Sequence, residues 1–258
     1  RCLHPSWIRR FLIGLSISRP LTLICAPAGF GKTTLVCEWF GSEVNSDVPV
    51  AWVSLDEDDN DLVRFLTYLI AGLANIGSTE DEALLSLLRS PQPLSPKRIL
   101  TKLISRLETF PQHFVFVLDD YHLIATQTVH EALAFLIDHL PLQMHVVLIG
   151  REDPPLPLAR LRGRGQLAEI RVSDLRFTPE ESRQFLWQMI GIELSTNQIK
   201  DLDARTEGWI AGLQLAALAM KGRENVGEFI STFTGSHRFI WDYLTEEVLG
   251  RQPESTNG

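Results

Sequence analysis

The sequence predicts an α/β fold: a parallel sheet flanked by helices, followed by a segment made of helices alone. Three observations carry that reading. Apolar strand patterns alternate with helical patterns over about 170 residues, the signature of a parallel sheet. The first strand pattern runs straight into a glycine-rich loop that opens a helix. Beyond residue 172 the alternation stops, and only helical spacings and capping signals remain.

The glycine loop organises the rest. Leu21-Thr-Leu-Ile-Cys25 is a buried strand pattern, and Ala26-Pro-Ala-Gly-Phe-Gly-Lys-Thr-Thr34 follows it. Strand, glycine loop and helix form the context of a phosphate-binding P-loop. Gly29 and Gly31 can adopt backbone angles closed to other residues, so successive N–H groups can turn around an anion. The helix predicted over 33–40 adds its free N–H groups and positive dipole end. Ala28, Gly29, Phe30, Gly31, Lys32, Thr33 and Thr34 are therefore the candidate nucleotide contacts. Lys32 is placed for the β- and γ-phosphates, and Thr33 for Mg²⁺. Ala26 stands where the G-x-x-x-x-G-K-[ST] pattern has its first Gly, a mild change. Thr34 stands where a dinucleotide fingerprint needs a third Gly, so that reading is discarded.

The next apolar run, 50–55, reads as a second buried strand, and it enters Asp56-Glu-Asp-Asp-Asn-Asp61. Asp56, Asp58 and Asn60 fit three positions of a calcium loop. Asp61 and Thr67 occupy the places of its Gly and its bidentate Glu, so a solvated turn capping the next helix is the better reading. Helices follow over 62–73, 81–88 and 97–108, the last with Ser95-Pro96 at its start. Residues 114–118 are continuously apolar, which marks a central strand covered on both faces.

That strand ends in Asp119-Asp120. A P-loop needs a carboxylate near its metal, and Asp119 has the right position to hold Mg²⁺ with Thr33. Asp120 is then the candidate general base for an attacking water. The alternative is that these aspartates only cap the next turn. A helix over 129–140 leads to the buried strand 145–149 and then to Gly150-Arg151. Arg151 is the candidate γ-phosphate sensor, since a guanidinium bridges phosphate oxygens. Lys32, Asp120 and Arg151 make up the candidate catalytic set. Residues 152–165 read as a loop rich in Pro and Arg, with Arg160, Arg162 and Arg164 as a short solvated basic run. The strand 167–172 reads as an edge.

Two capping boxes punctuate the helical part. Thr178-Pro-Glu-Glu181 and Ser195-Thr-Asn-Gln198 each start a helix. Glu207-Gly208 breaks the pattern before an apolar helix over 209–220. Two more helical pieces read over 229–233 and 239–248. The expected domains are 1–172, 173–225 and 226–258.

Composition narrows the partners. The 258 residues carry a net charge of −8, which argues against nucleic-acid binding by a basic surface. Cys2, Cys25 and Cys37 are odd in number and lack C-x-x-C spacing, so neither a disulfide scaffold nor a zinc site is expected. A cytoplasmic location and no membrane partner are expected. No histidine cluster has ligand spacing; His4, His122 and His145 read as surface or satisfied core residues. The start at Arg1 and the polar end suggest a fragment of something longer.

Several stretches together resemble the large ATP-dependent LuxR-type transcriptional regulators, a branch of the STAND class of P-loop ATPases. They are the P-loop stretch 20–35, Trp52-Val-Ser-Leu-Asp-Glu-Asp-Asp-Asn-Asp61, Val117-Leu-Asp-Asp-Tyr-His122, and Arg151 with Pro154-Pro-Leu-Pro-Leu-Ala-Arg160. Leu175-Arg-Phe177 and Glu207-Gly-Trp-Ile-Ala-Gly-Leu-Gln214 complete the set. The resemblance covers nearly the whole chain. It implies an AAA-like P-loop NTPase core with a five-stranded sheet, then a small helical domain, then the truncated start of a winged-helix domain. It implies ATP or ADP with Mg²⁺ as cofactors, a resting state held by ADP, and self-association in the ATP state. DNA would be bound only through a module absent from this chain. Two departures stand out. Glu207–Leu213 lacks the Pro of the adenine-contacting G-x-P motif, and Gly150 replaces a Ser common before the sensor Arg. The leading reading is a nucleotide-operated switch with slow ATP hydrolysis as reset. The competing ones are a catalytic remodelling ATPase and a nucleotide-free interaction module.

Overall fold

The computed structural model describes residues 19–41, 47–74, 76, 82–90, 94–223 and 225–233. The apolar residues Trp7, Ile8, Phe11, Leu12 and Leu15 predict a helix over 7–15; that stretch, the helical piece 239–248 and most of the winged-helix segment lie outside these residues. Contacts group the chain into two compact units. One contains the stretch up to Ala26 and Thr33–Arg171; the other contains Pro27–Lys32 and the residues from Val172 onward.

The first unit is built on a five-stranded parallel sheet. Its strands are β1 (Leu21–Cys25), β2 (Val50–Ser54), β3 (Phe114–Asp119), β4 (Met144–Gly150) and β5 (Leu167–Arg171). Their order is β2-β3-β4-β1-β5, with every pairing parallel. β1, β3 and β4 are buried at every position, as their unbroken apolar runs predict. The expected burial of β2 is corrected. It is an edge strand in which only Ala51 is buried, because the strand order leaves one of its sides unpaired. β5 forms the opposite edge.

Helices α1 (Lys32–Gly41), α2 (Leu62–Ala74), α3 (Glu82–Leu88), α4 (Pro96–Leu107) and α5 (Gln127–Asp138) fill the crossovers. α1 buries Leu35, Val36 and Trp39. α2 buries Phe65, Leu66, Leu69, Ile70 and Leu73 on one stripe. Ser95 precedes α4 but makes no side-chain cap; its carbonyl accepts from the Ile99 amide instead. Residues 152–165, predicted as loop, contain a short helix, α6 (Leu158–Gly163), whose Leu158 and Leu161 are buried. The prolines before it fit a helix entry, and the arginines on it are paired: Arg160 with Asp138, Arg162 with Glu169.

The acidic run folds into a 3₁₀ turn, Glu57–Asn60, closed by an Asp56/Asp59 capping box. Arg64 on α2 reaches Asp56, Asp58 and Asp59 at 3.0–3.1 Å. A guanidinium, rather than a cation site, thus organises these carboxylates. Asn60 donates to the Leu123 carbonyl, and its Oδ1 accepts from the amides of Ala125 and Thr126. One side chain thereby ties the turn after β2 to the loop after β3.

The second unit contains α7 (Val172–Leu175), α8 (Pro179–Ile190), α9 (Thr196–Thr206), α10 (Ile210–Met220) and α11 (Val226–Thr232). Both capping boxes form: the Thr178 hydroxyl accepts from the Glu181 amide, and the Ser195 hydroxyl from the Gln198 amide. α9 ends through Glu207 and Gly208, both with positive φ, which turns the chain into α10.

Candidate functional site

A parallel sheet sends all its strands toward one edge, so the chain leaves β1, β3 and β4 at a common side. Cys25 pairs in register with Gly150 and with Arg171, and Ser54 pairs with Asp119. β4 lies between β1 and β3, which separates the glycine-loop strand from the aspartate strand by one neighbour.

Thr33 and Asp119 meet across that interval. The Thr33 hydroxyl donates to Asp119 Oδ2 at 3.0 Å. Asp119 is 4 % exposed, while Thr33 is open to solvent. Asp119 also accepts from the Asp120 amide through Oδ1 at 2.9 Å, which fixes the carboxyl orientation. A hydroxyl and a carboxylate side by side supply the hard oxygen donors that Mg²⁺ prefers. The donor set fits that ion.

Asp120 is half-buried and sits in the left-handed region, at φ 56°. Few non-glycine residues adopt that conformation, and such strain concentrates at functional sites. The neighbouring His122 places Nδ1 3.8 Å from Asp120 Oδ1. Arg151 directly follows β4 and is partly exposed. Thr34 is exposed on the first turn of α1. Cys25 closes β1, with its thiol raised above its ordinary range chiefly by burial.

Pro27–Lys32 belongs to the helical unit by its contacts. Gly29 and Gly31 take φ values of 78° and 70°, the positive region that only glycine enters freely. Lys32 is nearly buried, and its ammonium donates to the Pro27 carbonyl at 3.0 Å, back across its own loop. The loop carbonyls face α10. Ala28 O accepts from the Trp209 indole at 3.1 Å, and Gly29 O from the Ala211 amide at 3.0 Å. Ile210 lies over Gly31, its Cδ1 only 3.0 Å from where a Cβ would stand. Motif reading alone missed Trp209, Ile210 and Ala211 at the start of α10. The available signal was that α10, unlike α8 and α9, has no Ser, Thr, Asp or Asn before it.

The histidines have other duties. His145 is buried and satisfied: Nδ1–H donates to the Arg19 carbonyl, and Nε2 accepts from the Thr22 hydroxyl at 3.1 Å. His130 meets the Tyr121 hydroxyl at 2.8 Å.

The AAA ATPase domain family matches residues 9–149, which span β1, the glycine loop and β3 through Asp119. The chain belongs to that family. It is thus a nucleotide-binding ATPase domain with a P-loop NTPase fold. Its relatives extend beyond the matched stretch. The HTH-type transcriptional regulator MalT of Vibrio parahaemolyticus is 33 % identical over 254 residues, covering 96 % of this chain and 28 % of that protein. The regulator of the same name from Serratia proteamaculans is 36 % identical over 233 residues, covering 89 % of this chain and 25 % of its own length. The chain therefore spans about a quarter of the length of these curated relatives. Among solved structures, one of Drosophila ORC bound to AT-rich DNA and Cdc6 is similar with a TM-score of 0.38 at 13 % identity; the match covers 76 % of this chain and 63 % of that one. Among the described residues, no helix is long and apolar enough to cross a membrane.

Proposed function

We propose that this chain is the nucleotide-operated switch of a transcriptional regulator, binding ATP or ADP with Mg²⁺. The observation that carries this reading is the Thr33–Asp119 pair, which puts a hydroxyl and a buried carboxylate together at the start of the glycine-loop helix. The similarity to transcriptional regulators over nearly the full chain supports the regulatory part.

The roles divide by chemistry. Amides of residues 28–34 and the N-terminus of α1 cradle the phosphates. Lys32 exchanges the Pro27 carbonyl for phosphate oxygens when nucleotide enters. Thr33 and Asp119 hold the ion, whose charge offsets that of the β- and γ-phosphates. Arg151 distinguishes ATP from ADP by bridging γ-phosphate oxygens. Asp120 takes a proton from the attacking water during slow hydrolysis, which resets the switch. The ATP form self-associates, and DNA is engaged by a module outside these 258 residues. Domain limits of 1–172, 173–225 and 226–258, and a cytoplasmic location, belong to the same proposal.

Single-turnover and steady-state ATP hydrolysis test the switch. The reading predicts turnover slower than about one per minute, well below the ~10 s⁻¹ typical of enzymes. Asp120→Asn should abolish turnover while ATP binding persists. Steady turnover on the order of one per second, or full turnover in Asp120→Asn, would contradict it.

A further inference from the structure

A P-loop works by pointing amide N–H groups at phosphate, so the opposite ends of the same peptide units matter. In a trans peptide the C=O and the N–H point in opposite directions. The Ala28 carbonyl shares its peptide plane with the Gly29 amide, and the Gly29 carbonyl shares its plane with the Phe30 amide. Whatever holds those two carbonyls therefore aims those two amides.

The first turn of α10 holds both. The Trp209 indole donates to Ala28 O, and the Ala211 amide to Gly29 O, at 3.1 and 3.0 Å. The second bond also completes α10. A helix start leaves its first amides without partners, and Trp209 supplies no side-chain cap. The loop carbonyl takes the place of the missing cap.

Two glycines make the fit possible. A Cβ on Gly31 would lie 3.0 Å from Ile210 Cδ1. A Cβ on Gly212 would lie 2.6 Å from Trp209 Cε3, so the bare backbone of Gly212 is where the indole ring rests. The ring is thereby oriented with its N–H toward the loop. Ordinary hydrophobic packing of a helix on a loop requires neither the two consecutive carbonyl acceptors nor the cleared space on each side.

We propose that Trp209, seated on Gly212, is a positioning residue for phosphate binding: with Ala211 it locks the Gly29 and Phe30 peptide planes and so presets the amides of the loop. This rests on the nucleotide-binding reading above. The lock acts in both directions. A phosphate that draws the Gly29 or Phe30 amide toward itself also turns the carbonyls that α10 holds. Nucleotide arrival and departure are thereby felt at the start of α10, and release of ADP requires the lock to yield.

Trp209→Phe is the decisive variant, because it keeps an aromatic ring over Gly212 and deletes only the indole donor. The 258-residue chain is titrated with a fluorescent ADP analogue, and the off-rate is followed by chase with unlabelled ADP. The expected result is faster release and weaker binding by about three- to tenfold, the worth of one neutral hydrogen bond, read on the folded fraction whatever the shift in thermal midpoint. A merely structural role would lower the midpoint and leave the off-rate of the folded fraction as in the parent. Gly212→Ala, which displaces the ring, should speed release in the same way. Parental affinity and off-rate in both variants would overturn the proposal while leaving nucleotide binding intact. Failure of the parent chain to bind ADP at all would remove both this proposal and the reading beneath it.

Discussion

At single positions, the chain spends its conformational freedom where it turns. Gly208 shows this most sharply. Its φ is +70°, and a Cβ there would stand 2.5 Å from the Phe177 carbonyl oxygen and 2.8 Å from the Phe177 amide nitrogen. Neither contact is a flexible side-chain end, and the Phe177 amide itself donates to the Gly208 carbonyl at 3.0 Å. Gly208→Ala is therefore predicted to destabilise the helical unit by about 2–4 kcal/mol, combining left-handed strain with a backbone clash. Differential scanning calorimetry checks it; a loss under about 0.5 kcal/mol would contradict the geometry. Asp120 holds a similar backbone position without a glycine, beside the carboxylate proposed to bind metal.

The elements show what could and could not be seen beforehand. β3 and β4 were legible because their apolar runs are unbroken, and α8 and α9 because Thr178/Glu181 and Ser195/Gln198 announce their starts. The edge position of β2 was not legible. Strand order is a long-range property, and Val50–Ser54 looks as apolar as a central strand. α6 was hidden by the prolines in front of it, and the Asn60 and Arg64 clasps by the absence of any local spacing rule. In the site, the glycine loop, Thr33 and Asp119 could be read from motif chemistry. The Trp209 anchor could not, because its acceptor lies 181 residues away.

Two tests belong at this scale. Gly72 on α2 faces β2, where an added Cβ would meet Val53 Cγ2 at 2.8 Å. Gly72→Ala gains up to about 1 kcal/mol of helix propensity but overpacks the contact by about 1–3 kcal/mol. A net loss is predicted, and pairing it with Val53→Ala should recover part of it in a double-mutant cycle. The second test uses β5. Glu169 is held down at about 2, first by the Arg162 guanidinium and then by Arg171. Its ordinary value is 4.5, so the folded state prefers the ionised form. The stability this contributes is full above about pH 4.5 and disappears as pH falls through about 2. Glu169→Gln should lower the urea midpoint at pH 7 and flatten its fall toward pH 3. An unchanged midpoint at pH 7 would show that the pair contributes nothing.

Across the molecule, contacts divide the stretch after β1: Pro27–Lys32 groups with the helical residues, and Thr33 groups with the sheet, as Asp119 does. Differential contact is what a switch requires, because a ligand shifts an equilibrium only by its unequal affinity for the two states. On the proposed reading, Arg151 would bridge the γ-phosphate that ATP carries and ADP lacks.

The central claim is that this stretch, with Lys32 and Asp119, grips a phosphate chain through Mg²⁺. Isothermal titration of ATP into the parent, Lys32→Ala and Asp119→Ala, each with and without Mg²⁺, tests it most directly. The account predicts that Lys32→Ala loses at least about tenfold in affinity under both conditions, in keeping with a charged hydrogen bond. Asp119→Ala should lose the gain that Mg²⁺ gives the parent. Parental affinity in both variants, with the Mg²⁺ dependence intact, would contradict it.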